Sequence, residues 1–243
     1  MEKLQQTLRN HKSGWVVWPV WTVACFLAAS YVFGFLIIGA FKALGLVGLI
    51  ANTNGALILQ TVIYLIALGL IFSLRYVRKT TTKETLGIQR PMTLGEIGLG
   101  VAGYIIYFII LVGVTMLLTN LVPAYVADQP QDVGFTSLFG LERLIGFFVF
   151  VVVAPIVEEV IMRGFLYGKL RQAKMPMWPA AVIVSVIFGV LHGQWNVAVD
   201  TFILSMVACY LREVTGTIWP GVVIHMTKNA VAFTLLFIVM IPG

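Results

Sequence analysis

Charged residues are scarce in this chain of 243 amino acids, and that scarcity narrows what the protein can be. Only 11% of its residues are charged and 60% are hydrophobic, whereas soluble domains contain about 25% charged residues. The composition excludes a soluble domain and predicts a polytopic membrane protein with little mass outside the bilayer. Any chemistry must therefore take place inside the membrane or at its edge.

Cysteine is nearly absent as well. Cys25 and Cys209 are the two cysteines of the chain, and both lie in apolar stretches without a CxxC spacing. A disulfide framework and a CxxC site are excluded, and two packed thiols are the simpler interpretation.

Long apolar segments are what the chain has in abundance, and they predict an all-α polytopic bundle of about seven transmembrane helices. The predicted spans are residues 15–41, 56–74, 97–122, 144–169, 177–192, 196–211 and 217–241. Small residues near the start of the third span predict close packing of helices there. They are Gly95, Gly98, Gly100, Ala102 and Gly103.

The positions of the basic residues determine how the formal net charge of +6 is interpreted. If the amino terminus is inside, the inner segments hold 13 of the 16 Lys and Arg residues, as the positive-inside rule requires. We therefore predict an N-in and C-out orientation, and the net charge does not call for a nucleic-acid partner. The 13 residues are Lys3, Arg9, Lys12, Arg75, Arg78, Lys79, Lys83, Arg90, Arg163, Lys169, Arg171, Lys174 and Arg212.

Two adjacent carboxylates, Glu158 and Glu159, lie in a segment that otherwise has the composition of a membrane helix. An ionised side chain near the bilayer centre costs roughly 2.5 kcal/mol or more, so an acid in a membrane span indicates a functional site. Residues four apart share one helical face, and Glu159 is therefore expected to pair with Arg163 while Glu158 stays free. The simpler alternative is that both acids end a helix at the membrane surface.

Two histidines follow on later apolar segments. The fifth segment places Phe188 and His192 one turn apart, and the last places His225 and Asn229 one turn apart. A single histidine in a membrane helix is more often a packing residue, but two of them on helices next to an acidic pair indicate a shared site.

These groups reach a common depth with Glu158 only if the fourth helix is long. At a rise of about 1.5 Å per residue, the depth of Glu158 in the membrane agrees with the depths of the histidines and Asn229 when that helix continues past Arg163 to about Lys169. Continuation requires Arg163 to be buried, which is tolerable if Glu159 neutralises it. The sequence thus favours a buried ion pair that supports a free Glu158.

Three short motifs formed by these residues resemble those of the CAAX-protease and bacteriocin-processing (CPBP or Abi) family of intramembrane proteases. The resemblance covers about residues 144–241, and each motif is weak alone while the set is specific. The motifs are Glu158-Glu159-x-x-x-Arg163, Phe188-x-x-x-His192 and His225-x-x-x-Asn229.

The resemblance implies a glutamate-dependent peptidase whose cavity opens toward the cytoplasmic side. It implies that Glu158 is the general base that activates water, with help from His192. It assigns the binding of the tetrahedral oxyanion to His225 and Asn229, and donors aimed at developing negative charge typically contribute several kcal/mol. The implied supporting residues are Glu159, Arg163 and Phe188.

A metal site stays open as an alternative. Glu158, His192 and His225 would form a set of two histidines and one carboxylate, which is common in catalytic zinc sites, although an HExxH motif is absent. The favoured interpretation is a glutamate and histidine mechanism that requires no cofactor. Serine GxSxG and aspartate GxGD motifs are also absent, so other intramembrane protease chemistries fit less well.

Two functions of other classes also stay open. A bacteriocin-immunity factor or a membrane scaffold would be non-catalytic and would use the polar core for stability alone. A proton-coupled transporter would use buried Glu and His side chains as a relay, but the absence of internal repeats argues against the usual transporter architecture.

The expected organisation has two parts. Residues 1–143 form a tail and three transmembrane helices, and residues 144–243 form a CPBP-like catalytic core of four helices. The predicted partners are the lipid bilayer and a protein or peptide substrate, such as a prenylated carboxyl-terminal tail or the precursor of a pheromone or bacteriocin. The predicted location is a bacterial plasma membrane.

Overall fold

The computed structural model describes residues 2–127, 129, 135 and 137–239, and for residues 2–12 the backbone alone. Within these ranges the chain is all-α, and three short helices, Gly48–Ala51, Arg75–Thr80 and Lys83–Leu86, lie in the connections between the principal ones. The principal helices are α1, formed by the consecutive segments Glu2–Leu27, Ala28–Phe33 and Gly34–Ala43, then α2 (Thr53–Ile71), α3 (Leu94–Leu121), α4 (Leu141–Gln172), α5 (Met177–Val190), α6 (Trp195–Thr215) and α7 (Trp219–Phe237).

These helices correspond one by one to the predicted spans, and the predicted all-α polytopic bundle is confirmed. In the described part of the chain, 5 helices are long and apolar enough to cross a membrane, namely α1 to α4 and α7. Helix α5 has 14 residues, which gives a length of about 21 Å at 1.5 Å per residue. The count of seven crossings and the N-in orientation stay predictions.

Helix α4 is the central helix of the bundle. It is 32 residues long and continues past Arg163 and Lys169 to Gln172, as the depth argument predicts. Every residue from Ile161 to Leu170 is buried. A helix that is surrounded on all sides by protein can place charged groups away from lipid, provided that they are paired.

Helix α3 packs against α7 through two glycines. A Cβ atom at Gly100 would lie 2.5 Å from Cβ of Val223, and one at Gly103 would lie 2.7 Å from Cδ1 of Ile224. These two positions confirm the predicted close packing, and they set the position of the helix that carries His225. The packing prediction is wrong for the other three small residues because they are exposed on a different face of α3. They are Gly95, Gly98 and Ala102.

Hydrogen bonds fasten the loop between α2 and α3 to the ends of α4 and α6. Lys169 Nζ donates to the carbonyl and the hydroxyl oxygen of Thr80 at 2.6 and 2.8 Å. Arg212 Nη2 donates to the carbonyl oxygens of Glu84 and Thr85 at 3.0 and 3.1 Å. The end of α4 that follows the carboxylates is thereby held in place.

Candidate active site

The adjacent acids of α4 have different surroundings. Arg163 Nη1 lies 2.9 Å from Glu159 Oε1, and both side chains are fully buried, as their spacing predicts. The side chain of Glu158 keeps 11% of its surface exposed and lines a cavity. One carboxylate is therefore neutralised inside the protein, while the other is accessible.

His225 on α7 lies between the two carboxylates. Its Nδ1 is 3.1 Å from Glu159 Oε1, and its Nε2 is 3.6 Å from Glu158 Oε2. An ionised carboxylate can only accept a hydrogen bond, so Nδ1–H donates to Glu159. The distance on the other side exceeds that of a hydrogen bond, so Nε2 and Glu158 face each other across a narrow space.

The close approach of α7 to the ion pair depends on Gly221. A Cβ atom there would lie 2.8 Å from Glu159 Oε2, a distance at which one of the two groups would have to move. On the other side of the pair, the guanidinium carbon of Arg163 lies 4.8 Å from the centre of the Phe188 ring, which is a cation–π distance. The pair is thus enclosed by α7 and an aromatic side chain of α5.

His192 lies just beyond α5 rather than within it, because that helix ends at Val190 and Gly193 adopts a positive φ of 72°. Its Nδ1 is 2.7 Å from the carbonyl oxygen of Phe188, and a carbonyl can only accept, so Nδ1 carries the proton. The Nε2 lone pair is then available on the side away from the helix end. The Phe188 ring packs edge-on against His192 and His225, with centroid distances of 4.8 and 5.7 Å.

Asn229 compensates for a proline in α4. Pro155 has no N–H group to give to the carbonyls one turn earlier, and Asn229 Nδ2 donates to the carbonyl oxygen of Phe150 at 2.8 Å. A carbonyl that loses its helical donor inside a membrane is satisfied by a neighbouring group in this way. An amide group has two N–H bonds, so the second one is left for the oxyanion role that the resemblance implies.

All four predicted catalytic side chains line a single cavity of about 570 Å³. They are Glu158, His192, His225 and Asn229. A smaller cavity of about 220 Å³ shares Glu158 and His192 with the larger one and extends toward α1. The accessible carboxylate therefore lies where the two cavities meet.

Five further polar side chains near this site were not expected from the sequence. Gln60 and Tyr64 on α2 line both cavities, and their spacing of four residues in an otherwise apolar segment is a signal that could have identified them. Lys228 also lines the larger cavity, and its Nζ lies 3.2 Å from Asp200 Oδ2 on α6. The hydroxyl of Tyr107 donates to the same carboxylate.

A zinc ion at Glu158, His192 and His225 stays an open alternative. Among the side chains that the structure describes, no group of three or more His, Cys, Asp or Glu residues is placed to hold one metal ion. His225 directs Nδ1 to Glu159 and Nε2 toward Glu158, an orientation that a metal-bound histidine backed by a carboxylate also has. The chemistry below is therefore derived from the side chains alone.

Comparison with known proteins finds matches to part of the chain. The family model for type II CAAX prenyl endopeptidase Rce1-like proteins matches residues 138–231. A Bacillus subtilis (strain 168) protein named "Putative membrane peptidase YdiL" is 31% identical over 78 residues, which are 32% of this chain and 32% of that protein. The match thus spans about a third of the relative's length. No solved structure shows a significant match. The apolar helices make the chain a multi-pass membrane protein, and its residues 138–231 are similar to membrane peptidases of the CAAX type.

Proposed function

We propose that this protein is an intramembrane endopeptidase of the CAAX-protease type in which Glu158 is the general base. The supporting observation is that Glu158, His192, His225 and Asn229 meet in one cavity beside a buried ion pair. Ionisable groups are costly inside a membrane and are usually retained there for a function. The match of residues 138–231 to the family model supports the same reaction class.

In the proposed reaction, a water molecule held by Glu158 and His192 Nε2 attacks the carbonyl carbon of the substrate peptide bond. Glu158 accepts a proton from the water as the new C–O bond forms. It then returns a proton to the leaving nitrogen as the C–N bond breaks, so the products are a new carboxyl terminus and a free amine. Proton transfer by a positioned side chain contributes about 10²–10⁴-fold to such a rate.

In this proposal, His225 and Asn229 stabilise the negative charge of the tetrahedral intermediate. Donation from His225 Nε2 requires a second proton on the ring, and the resulting positive charge is stabilised by Glu159, 3.1 Å from Nδ1. Asn229 contributes its second amide N–H, because the first is bonded to Phe150. Removing one such donor costs about 10²–10³-fold in kcat.

The proposed substrate is a membrane-associated protein or peptide. The matched family is described by its action on prenylated CAAX proteins, and peptide pheromone and bacteriocin precursors are the other candidates. The proposed mechanism uses no metal. The proposed location is a bacterial plasma membrane, and the similarity to a Bacillus protein named as a membrane peptidase is consistent with it.

The test is cleavage of fluorogenic peptides with an apolar tail by the full-length protein in liposomes. We expect Glu158→Gln to lower kcat by about 10²–10⁴-fold, while Glu84→Gln, a matched change at an exposed loop acid, keeps the wild-type rate. Proteomics of membranes from cells with the wild-type protein and with Glu158→Ala would identify the natural substrate. Undiminished cleavage by folded Glu158→Gln would refute the proposal and favour the immunity or scaffold alternative.

A further inference from the structure

Helix α2 contributes to the site although it lies outside the matched residues 138–231. It is apolar along most of its length, yet Gln60 and Tyr64 occur one turn apart in its middle and face Glu158. Both residues line the larger and the smaller cavity. Polar groups in this position would be costly against lipid, so their placement against the carboxylate calls for a functional explanation.

The contacts of Tyr64 have a defined direction. Its hydroxyl faces the carboxylate of Glu158 and the side chain of Gln60 in the shared cavity lining. An ionised carboxylate has no hydrogen to give, so in a bond between the two the Tyr64 hydroxyl is the donor. The oxygen of Tyr64 can then accept from the amide of Gln60, which has N–H groups to donate. In this order the three side chains provide a chain of donors directed at Glu158.

The position of this chain of donors matters because Glu158 lies where the two cavities meet. On its α7 side, the nearest group is His225 Nε2 at 3.6 Å, which is too far for a direct hydrogen bond. The Tyr64 hydroxyl, which faces the carboxylate from α2, is therefore the group suited to restrain its orientation. A general base has to be held within hydrogen-bond reach of the proton that it removes.

We propose that Tyr64 is a positioning residue for the reaction, and that Gln60 orients its hydroxyl. This inference rests on the proposed function, because it assigns to Tyr64 the task of holding Glu158 toward the attacking water. The base of a catalytic core formed by α4 to α7 is thus oriented by a helix from the other half of the chain. Loss of the hydroxyl leaves the cavity in place but releases the carboxylate.

Other charged or titratable groups surround Glu158 and stay unchanged when Tyr64 is altered. They are Tyr31 on α1, Glu159 and Arg163 on α4, His192 after α5, and His225 and Lys228 on α7, with Asp200 on α6 reaching the site only through Lys228. Any change in the pH profile of a Tyr64 variant therefore reports the lost hydroxyl, since none of these groups is removed with it.

The experiment compares wild type, Tyr64→Phe and Gln60→Leu as full-length proteins in liposomes, with a fluorogenic peptide as probe. An O–H donor stabilises the ionised carboxylate relative to the protonated form. We therefore expect Tyr64→Phe to move the acidic limb of the kcat/KM profile to higher pH by about one unit, and to lower kcat about tenfold, with KM within about twofold of wild type. Gln60→Leu should move the acidic limb and lower kcat in the same directions, by smaller amounts.

A matched control is Tyr167→Phe, because the Tyr167 hydroxyl also donates to a carboxylate, that of Glu213, at 2.6 Å, but lines neither cavity. Its pH profile should stay that of wild type. An unchanged profile and kcat in Tyr64→Phe, with Glu158→Gln inactive, would overturn the role of Tyr64 alone. Full activity of Glu158→Gln would instead overturn the proposed function. If Tyr64→Phe does not fold, an unchanged profile in Gln60→Leu would count against the inference.

Discussion

Replacement of Arg163 by methionine tests whether the ion pair of α4 is a structural requirement. Methionine keeps much of the side-chain volume, so the change removes the charge without opening a large cavity. Glu159 would remain fully buried, with His225 Nδ1 at 3.1 Å as its remaining hydrogen-bond partner among the described side chains. Breaking a buried pair in this way costs about 3–5 kcal/mol.

A loss of that size is measurable as a change in thermal stability. For a protein of this length, 1 kcal/mol corresponds to about 2–4 °C, so we expect Arg163→Met to lower the midpoint of thermal unfolding in detergent by about 10 °C. The double variant Glu159→Gln and Arg163→Met removes both charges and should recover most of this loss, because a neutral amide is far less costly to bury than a carboxylate.

The matched control is Arg171→Met. Arg171 also pairs with a carboxylate, Glu213 Oε1 at 2.6 Å, but the two side chains are 35% and 31% exposed. Solvent screens such a pair, and its loss should cost about 0.2–1 kcal/mol. The reasoning would be refuted if Arg163→Met were no more destabilising than Arg171→Met, or if the double variant were as unstable as the single one.

Two further predictions concern α7. We expect Gly221→Ala to displace the Glu159 carboxylate and destabilise the protein by about 1–3 kcal/mol, whereas Gly39→Ala, which meets nothing within 4 Å, should be neutral in the same thermal assay. We expect Asn229→Ala to leave the Phe150 carbonyl unsatisfied and cost about 1–3 kcal/mol in stability, in addition to its effect on kcat. An unaltered unfolding midpoint in Asn229→Ala would limit that residue to the oxyanion role.

The sequence predicts the core of the site because its strongest physical signals are local. Glu159 and Arg163 are four residues apart, and that spacing alone anticipates their pairing. The depth argument anticipates that α4 continues past Arg163, since only a long helix brings Glu158 to the level of His225. These predictions depend on helix geometry and on the cost of charge in a membrane, and both can be evaluated from the sequence.

The contributions of α2 and of Asn229 could not be derived in the same way. Gln60 and Tyr64 are separated from Glu158 by more than ninety residues, and no periodicity specifies which helix face packs against which. The bond from Asn229 to Phe150 depends on the π-helical segment Phe148–Val153, because that segment determines which carbonyl is left without a donor. Backbone register and tertiary pairing are set by the packed bundle as a whole.

The position of Gln60 and Tyr64 also bears on the predicted division at residue 143. The four helices of the core supply the base, both imidazoles and the asparagine, and they match the family model. The cavities, however, are closed on one side by α2, so without it Glu158 would face lipid instead of a polar neighbour. Because an unpaired carboxylate against lipid is strongly disfavoured, we expect α2 to be needed for the site as well as the four helices of the core. The division at residue 143 stays a prediction.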